Sequence, residues 1–147
     1  MSDVKPIPDG YTAITPYLCV EGANAYIDFL ANAFGAVERM RIPLPDDLVA
    51  HAEVTIDGAV VMLSDAFPPD SPAQTAHIHL YVEDVDSAYA RAVSAGATSD
   101  GEPKDEFYGE RMAHLTDPCG IHWTIATHVE DVDMDTLMQR MAEMGMG

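Results

Sequence analysis

An α+β fold built from one β-α-β-β-β unit used twice is what the sequence predicts, and three observations carry it. Displacing the chain by 62 residues lays Leu18 on Leu80, Val20 on Val82 and Glu21 on Glu83, and brings two apolar helical stripes into coincidence. Each stripe ends at a glycine, Gly35 and Gly96, placed where a left-handed C-terminal cap belongs. Asp57-Gly58 reads as a two-residue hairpin turn between β-rich runs. One unit alone has too little area to bury a core, so two are expected to share one.

The elements follow in order. Residues 14–20 (ITPYLCV) are rich in β-branched and aromatic residues and read as a strand ended at Gly22. Ala23, Tyr26, Ile27, Leu30 and Phe34 recur at helical spacing. Short strands are expected at about 37–43, 49–56 and 59–64. The first module spans about 11–66, and the stretch of about 66–75, with Pro68, Pro69 and Pro72, is a linker. The second module, about 76–128, opens with a strand at 77–82; Asp84 then caps a helix whose stripe is Val85, Ala88, Tyr89, Ala92 and Val93. Strands at about 97–99, 111–116 and 121–127 complete it, the last two joined by the turn Asp117-Pro118-Cys119-Gly120. A final helix of about 133–145, capped by Asp133, carries Met134, Leu137, Met138, Met141 and Met144 on one stripe. That stripe is expected to pack on the body or a second subunit; a methionine lid is the alternative.

With 147 residues the chain suits one domain, 1–147, and its 48% apolar and 22% charged composition is that of a chain able to fill a core. Its 25 Asp and Glu against 7 Lys and Arg give a formal charge of −18. Nucleic acid and anionic membranes need a positive footprint that so few cations do not supply. The excess favours solubility, and either a high-salt habitat or ordinary acidic composition accounts for it. Cys19 and Cys119 are too few for a disulfide scaffold, and their spacing matches no zinc signature, so both read as reduced thiols. Nowhere do 18 apolar residues run together, and the first ten lack an apolar segment, so a cytoplasmic location is expected.

Several motifs resemble a known family. Ala33-Phe34-Gly35-Ala36 and Asp117-Pro118-Cys119-Gly120 within tandem β-α-β-β-β units look like the vicinal oxygen chelate superfamily, which includes glyoxalase I, bleomycin-resistance proteins and extradiol dioxygenases. Within it the chain is similar to the PhnB-like branch, through Thr15-Pro16-Tyr17-Leu18, His51-Ala52-Glu53, His79-Leu80-Tyr81-Val82-Glu83-Asp84-Val85, Phe107-Tyr108-Gly109-Glu110-Arg111 and His122-Trp123-Thr124-Ile125-Ala126-Thr127-His128. The resemblance implies the glyoxalase/bleomycin resistance fold: a cupped eight-stranded mixed sheet, helices on its outer face, a ligand cavity within and assembly as a homodimer. It fixes architecture better than activity.

Alternation along the strands then sorts side chains between helix and cup. Ala50, Ala52, Val54 and Ile56 are expected to pack, leaving Val49, His51, Glu53 and Thr55 inside. Ile78, Leu80 and Val82 pack and leave His77, His79 and Tyr81 inward; Ile121, Trp123 and Ile125 pack and leave His122, Thr124 and Ala126 inward. Tyr17 is a candidate for an aromatic wall with Tyr81, Phe107 and Tyr108. Arg111 offers a guanidinium fork for an anionic ligand group, with a salt bridge to Asp105, Glu106 or Glu110 as the alternative. The expected ligand contacts are thus Tyr17, His51, Glu53, His77, His79, Tyr81, Arg111 and His122, while His114 and His128 read as structural.

The superfamily's four metal-ligand positions fall on Thr15, Met62, His77 and Thr124, of which only His77 is a competent ligand for a divalent ion. Glyoxalase I chemistry is therefore not expected. A displaced site from His77, His79 and Glu53 would suit a divalent Zn, Fe, Mn or Ni ion. Two functions follow: a protein that binds or modifies a small metabolite or antibiotic, and, alternatively, a metal-dependent lyase, isomerase or dioxygenase. A paralogue with an empty cup is a third, and no Gly-rich nucleotide loop supports a methyltransferase.

Overall fold

A computed structural model describes residues 3–146; Met1, Ser2 and Gly147 of the expected domain lie outside the described residues. The chain divides between Ala76 and His77 into two compact units. Both have the same topology. In the first, β1 (Tyr17–Val20), α1 (Ala23–Phe34), β2 (Val37–Leu44), β3 (Leu48–Ile56) and β4 (Ala59–Asp65) form a sheet of order β1-β4-β3-β2. In the second, β5 (His77–Tyr81), α2 (Val85–Ala95), β6 (Thr98–Asp105), β7 (Glu110–Thr116) and β8 (His122–His128) form the order β5-β8-β7-β6. β1 runs parallel to β4 and β5 parallel to β8, the other pairings being antiparallel. The helix between the first two strands is what permits a parallel return.

In the first unit α1 packs on β3 and β4, burying Tyr26, Ile27 and Leu30 with Leu18, Ala52, Val54 and Leu63. The start of α1 has no side-chain cap of its own, because the N-cap is Gly22 in a left-handed conformation. Asp65, at the end of β4 and 2% exposed, does that work: its Oδ1 accepts the Gly22 and Ala23 N–H groups at 3.0 Å each, and its Oδ2 accepts Val49 N–H at 2.7 Å. One buried carboxylate thus ties a helix N-terminus to two strands, where helix polarity also favours a negative charge. Asp117 plays a comparable part in the second unit. Its Oδ1 accepts the N–H groups of Cys119 and Ile121, and its Oδ2 the Trp123 indole N–H at 2.8 Å.

Several elements depart from expectation. β1 begins only at Tyr17, three residues later than its β-rich composition suggests. β6 runs from Thr98 to Asp105, well past residue 99, although its sequence TSDGEPKD is polar and contains Gly101 and Pro103. It lies at a sheet edge and its pairing slips around Gly101, the setting in which a proline strand is tolerated. Val49, expected beside His51 inside the cup, is fully buried, because the β2–β3 register slips between His51 and Val49 and interrupts strict alternation.

The last helix, α3 (Met134–Glu143), has no fully buried residue: of the stripe expected to pack on the body or a second subunit, Leu137 and Met141 are half-buried while Met134 is 67% and Met138 53% exposed. Polar bonds also hold it. Arg140 donates to the Phe107 carbonyl at 2.8 Å and forks onto both Glu130 oxygens, and Gly109 carbonyl accepts the Val129 and Glu130 N–H groups. At Gly109 φ is +90° and an added Cβ would fall 2.1 Å from the Glu130 carbonyl oxygen, so glycine is required there. His128 completes the tether, with Asp131 at 2.7 Å from Nε2 and Glu110 at 3.3 Å from Nδ1.

Two expectations follow. Asp65→Ala strands two buried N–H groups, of Ala23 and Val49, and the part-buried one of Gly22, and costs about 3 kcal/mol, from the cost of orphaned donors, read as a lower urea midpoint with unchanged slope. Asp131 first, then Glu110, raise the His128 pKa above its ordinary imidazole value. A raised folded value means that stabilisation is full below the unfolded pKa and lost as pH rises through the folded one. The melting-temperature gap between the wild type and His128→Gln is therefore widest in mildly acidic buffer and closes in alkaline buffer; a gap constant with pH would show that charge plays no part.

Candidate functional site

On β3 the face opposite α1 carries His51 and Glu53, and register puts Met62 of β4 beside Glu53. Glu53 is 8% exposed, and a carboxylate so deep needs donors. It has two. The Tyr11 hydroxyl donates to Oε1, and His51 Nε2 meets Oε2 at 2.8 Å. With His51 neutral and donating from Nε2, its Nδ1 accepts the Tyr17 hydroxyl proton at 3.1 Å, and the two rings lie 5.5 Å apart. Tyr17, His51 and Glu53, expected as ligand contacts, therefore form one hydrogen-bonded chain. The segment before β1 lies over this face, with Arg39 Cζ 4.8 Å from the Tyr11 ring centroid. It encloses a cleft of about 370 Å³ lined in part by Tyr11, Thr15, Glu53 and Met62. Thr15 and Met62 occupy the positions at which the resemblance would place metal ligands, and they share the cleft with Glu53.

The second sheet presents its own polar face. Register aligns His77 with His122 and Thr116, and His79 with Thr124 and His114. Thr124, 3% exposed, receives His77 Nε2 at 2.7 Å and His114 Nδ1 at 3.1 Å on one hydroxyl oxygen. A hydroxyl has a single proton, so at least one of the two imidazoles must donate to it. Thr116 donates to Asp100 and so accepts from His122 Nδ1 at 3.1 Å. Tyr81, whose ring lies 4.8 Å from that of His79, donates to Glu110 at 2.7 Å; that bond raises the phenol pKa. His77, His79, Tyr81 and His122 thus lie on one face as alternation predicts.

Arg111 is placed otherwise. It lies in alternation with the buried Ala113 and Leu115, on the α2 side. There its guanidinium forks onto Asp86 of α2 at 2.8 and 3.0 Å and reaches Asp105 at 3.3 Å, which holds Arg111 protonated and the Asp86 pKa low. Of these partners the sequence suggested Asp105 but not Asp86, which only the helix brings near. Sequence reasoning also missed Tyr11, which precedes the first strand and carries no periodic signal, and set His114 and His128 aside. The alternation of Ala113 and Leu115 against His114 and Thr116 was the available signal for His114.

The donor chemistry does not fit a chelated dication. Of the four positions implied by the resemblance, Thr15, Met62 and Thr124 offer a neutral hydroxyl or thioether, and His77 is turned to Thr124. Among the described residues no three His, Cys, Asp or Glu side chains converge in a way that could hold a metal ion. Glu53 belongs to the first unit and His77 and His79 to the second.

Comparison with known proteins bears on the whole chain. The uncharacterized protein Rv0887c of Mycobacterium tuberculosis is 39% identical over 145 residues, covering 92% of this chain and 85% of that one. Among solved structures, TnmS3, an antibiotic binding protein from Streptomyces sp. CB03234, is 25% identical with a TM-score of 0.62, over 80% of this chain and 99% of its own. The PhnB protein from Bacillus cereus shares the fold at 17% identity and a TM-score of 0.66, over 79% of this chain and 99% of that one. No helix among the described residues is long and apolar enough to cross a membrane. The pattern that defines the Glyoxalase/Bleomycin resistance protein/Dioxygenase superfamily matches residues 10–125, and the chain belongs to that superfamily.

Proposed function

We propose that this protein binds a small organic molecule in the cleft at Glu53. The observation that carries the reading is a nearly buried carboxylate, held by Tyr11 and His51, that forms part of the wall of a cleft of about 370 Å³. Cavities of that size with few polar groups among apolar walls are where small ligands are held. The likeness to TnmS3, at 25% identity, supports a ligand of the metabolite or antibiotic kind. The imidazole face of His77, His79 and His122 offers a separate set of donors and acceptors on the other unit's sheet.

Binding here needs no covalent step. Glu53 supplies an acceptor, Tyr11 and His51 orient it, and apolar side chains beside it offer contact to the body of the ligand. Filling the cleft is the direct test. A fragment library screened by ligand-observed NMR against the full chain is expected to yield hits that Met62→Trp weakens at least about tenfold, a loss of about 1.4 kcal/mol. Hits unaffected by Met62→Trp, in a variant whose circular dichroism and melting match the wild type, would contradict the site.

A further inference from the structure

We infer that the ligand of the Glu53 cleft is a protonated amine carried on an apolar body, a conclusion that rests on the binding reading above and adds the ligand's chemical class. Among the described residues lining the cleft, Glu53 is the one side chain that carries charge at neutral pH, and no Lys, Arg or His lines it. Its walls include Pro6, Ile7, Pro8, Ala13 and Met62. A carboxylate can accept about four hydrogen bonds, and Glu53 takes one from the Tyr11 hydroxyl and one from His51. The remaining lone pairs favour a donor, and a cationic donor adds a Coulomb attraction to the carboxylate that a neutral donor lacks.

An anionic ligand meets the opposite situation. A second carboxylate brought beside Glu53 would meet like charge at short range. Arg39 is the nearby cation, but it lies over the Tyr11 ring and does not line the cleft. The chain's formal charge of −18 acts in the same direction at longer range, drawing cations towards the surface and repelling anions.

Three matched probes separate the possibilities: 2-phenylethylamine, 2-phenylethanol and 3-phenylpropionate, titrated into the full chain by calorimetry at pH 7 and low salt. The amine is expected to bind at least about tenfold more tightly than the alcohol, with the acid weakest of the three. Glu53→Gln, which keeps size and removes charge, is expected to bring amine and alcohol to within about twofold of each other. An acid that binds as tightly as the amine, or an amine preference that survives Glu53→Gln, would overturn the inference. Equal binding of all three that Met62→Trp abolishes would overturn the amine class and leave the cleft as the binding site. No binding by any probe would count against both.

Discussion

The Asp65 carboxylate is the contact on which the first unit depends. It sits at the end of β4, accepts N–H groups from the start of α1 and from β3, and so fixes which face of the sheet the helix covers. A buried carboxylate without those donors would cost several kcal/mol, and the donors without the carboxylate would be orphaned in turn. Once Leu63, Ala52 and Val54 turn towards α1, alternation sends Met62 and Glu53 to the opposite face. The cleft is a consequence of that choice. In the second unit the buried Asp117 carboxylate fastens the turn before β8 and the Trp123 indole, while α2 is capped by its own Asp84.

Two buried carboxylates on one sheet therefore have different parts. Asp65 has its oxygens occupied by backbone donors from elements it joins. Glu53 is held by side chains, Tyr11 from the segment before β1 and His51 from its own strand, and it borders the cleft. Side-chain donors reorient at lower cost than a helix terminus, so the proposed exchange of partners with a ligand falls to Glu53 and not to Asp65.

Much of this was legible in the sequence. The repeated β-α-β-β-β order, both helices and the Asp57-Gly58 turn are local consequences of periodicity and turn chemistry, and the structure has them. Alternation also placed His51 with Glu53 on one face of β3, and His77, His79, Tyr81 and His122 on one face of the second sheet, with Ile78 and Leu80 less exposed than the residues beside them. What escaped was non-local. The α1 N-terminus is capped from β4, 42 residues away, which no local pattern announces. Arg111 is claimed by Asp86 through the packing of α2, and Tyr11 reaches Glu53 from a segment with no regular structure. β6 was read short because its polar, proline-containing sequence suits only an edge strand. The stripe of α3 has the spacing of a packed helix; Leu137 and Met141 are half-buried, Met134 and Met138 are exposed, and Arg140 adds polar contacts to the Phe107 carbonyl and Glu130 that spacing does not announce.

The central claim is that a ligand sits against Met62 and Glu53. With 9 methionines in the chain, methyl NMR of protein labelled at the methionine methyl carbons reports on the cleft and on α3 in one spectrum. On adding a bound fragment, the account predicts that the Met62 methyl resonance shifts and gains nuclear Overhauser contacts to the ligand while Met134 and Met138 stay where they were. Contacts confined to the α3 methionines, with Met62 unmoved, would contradict it.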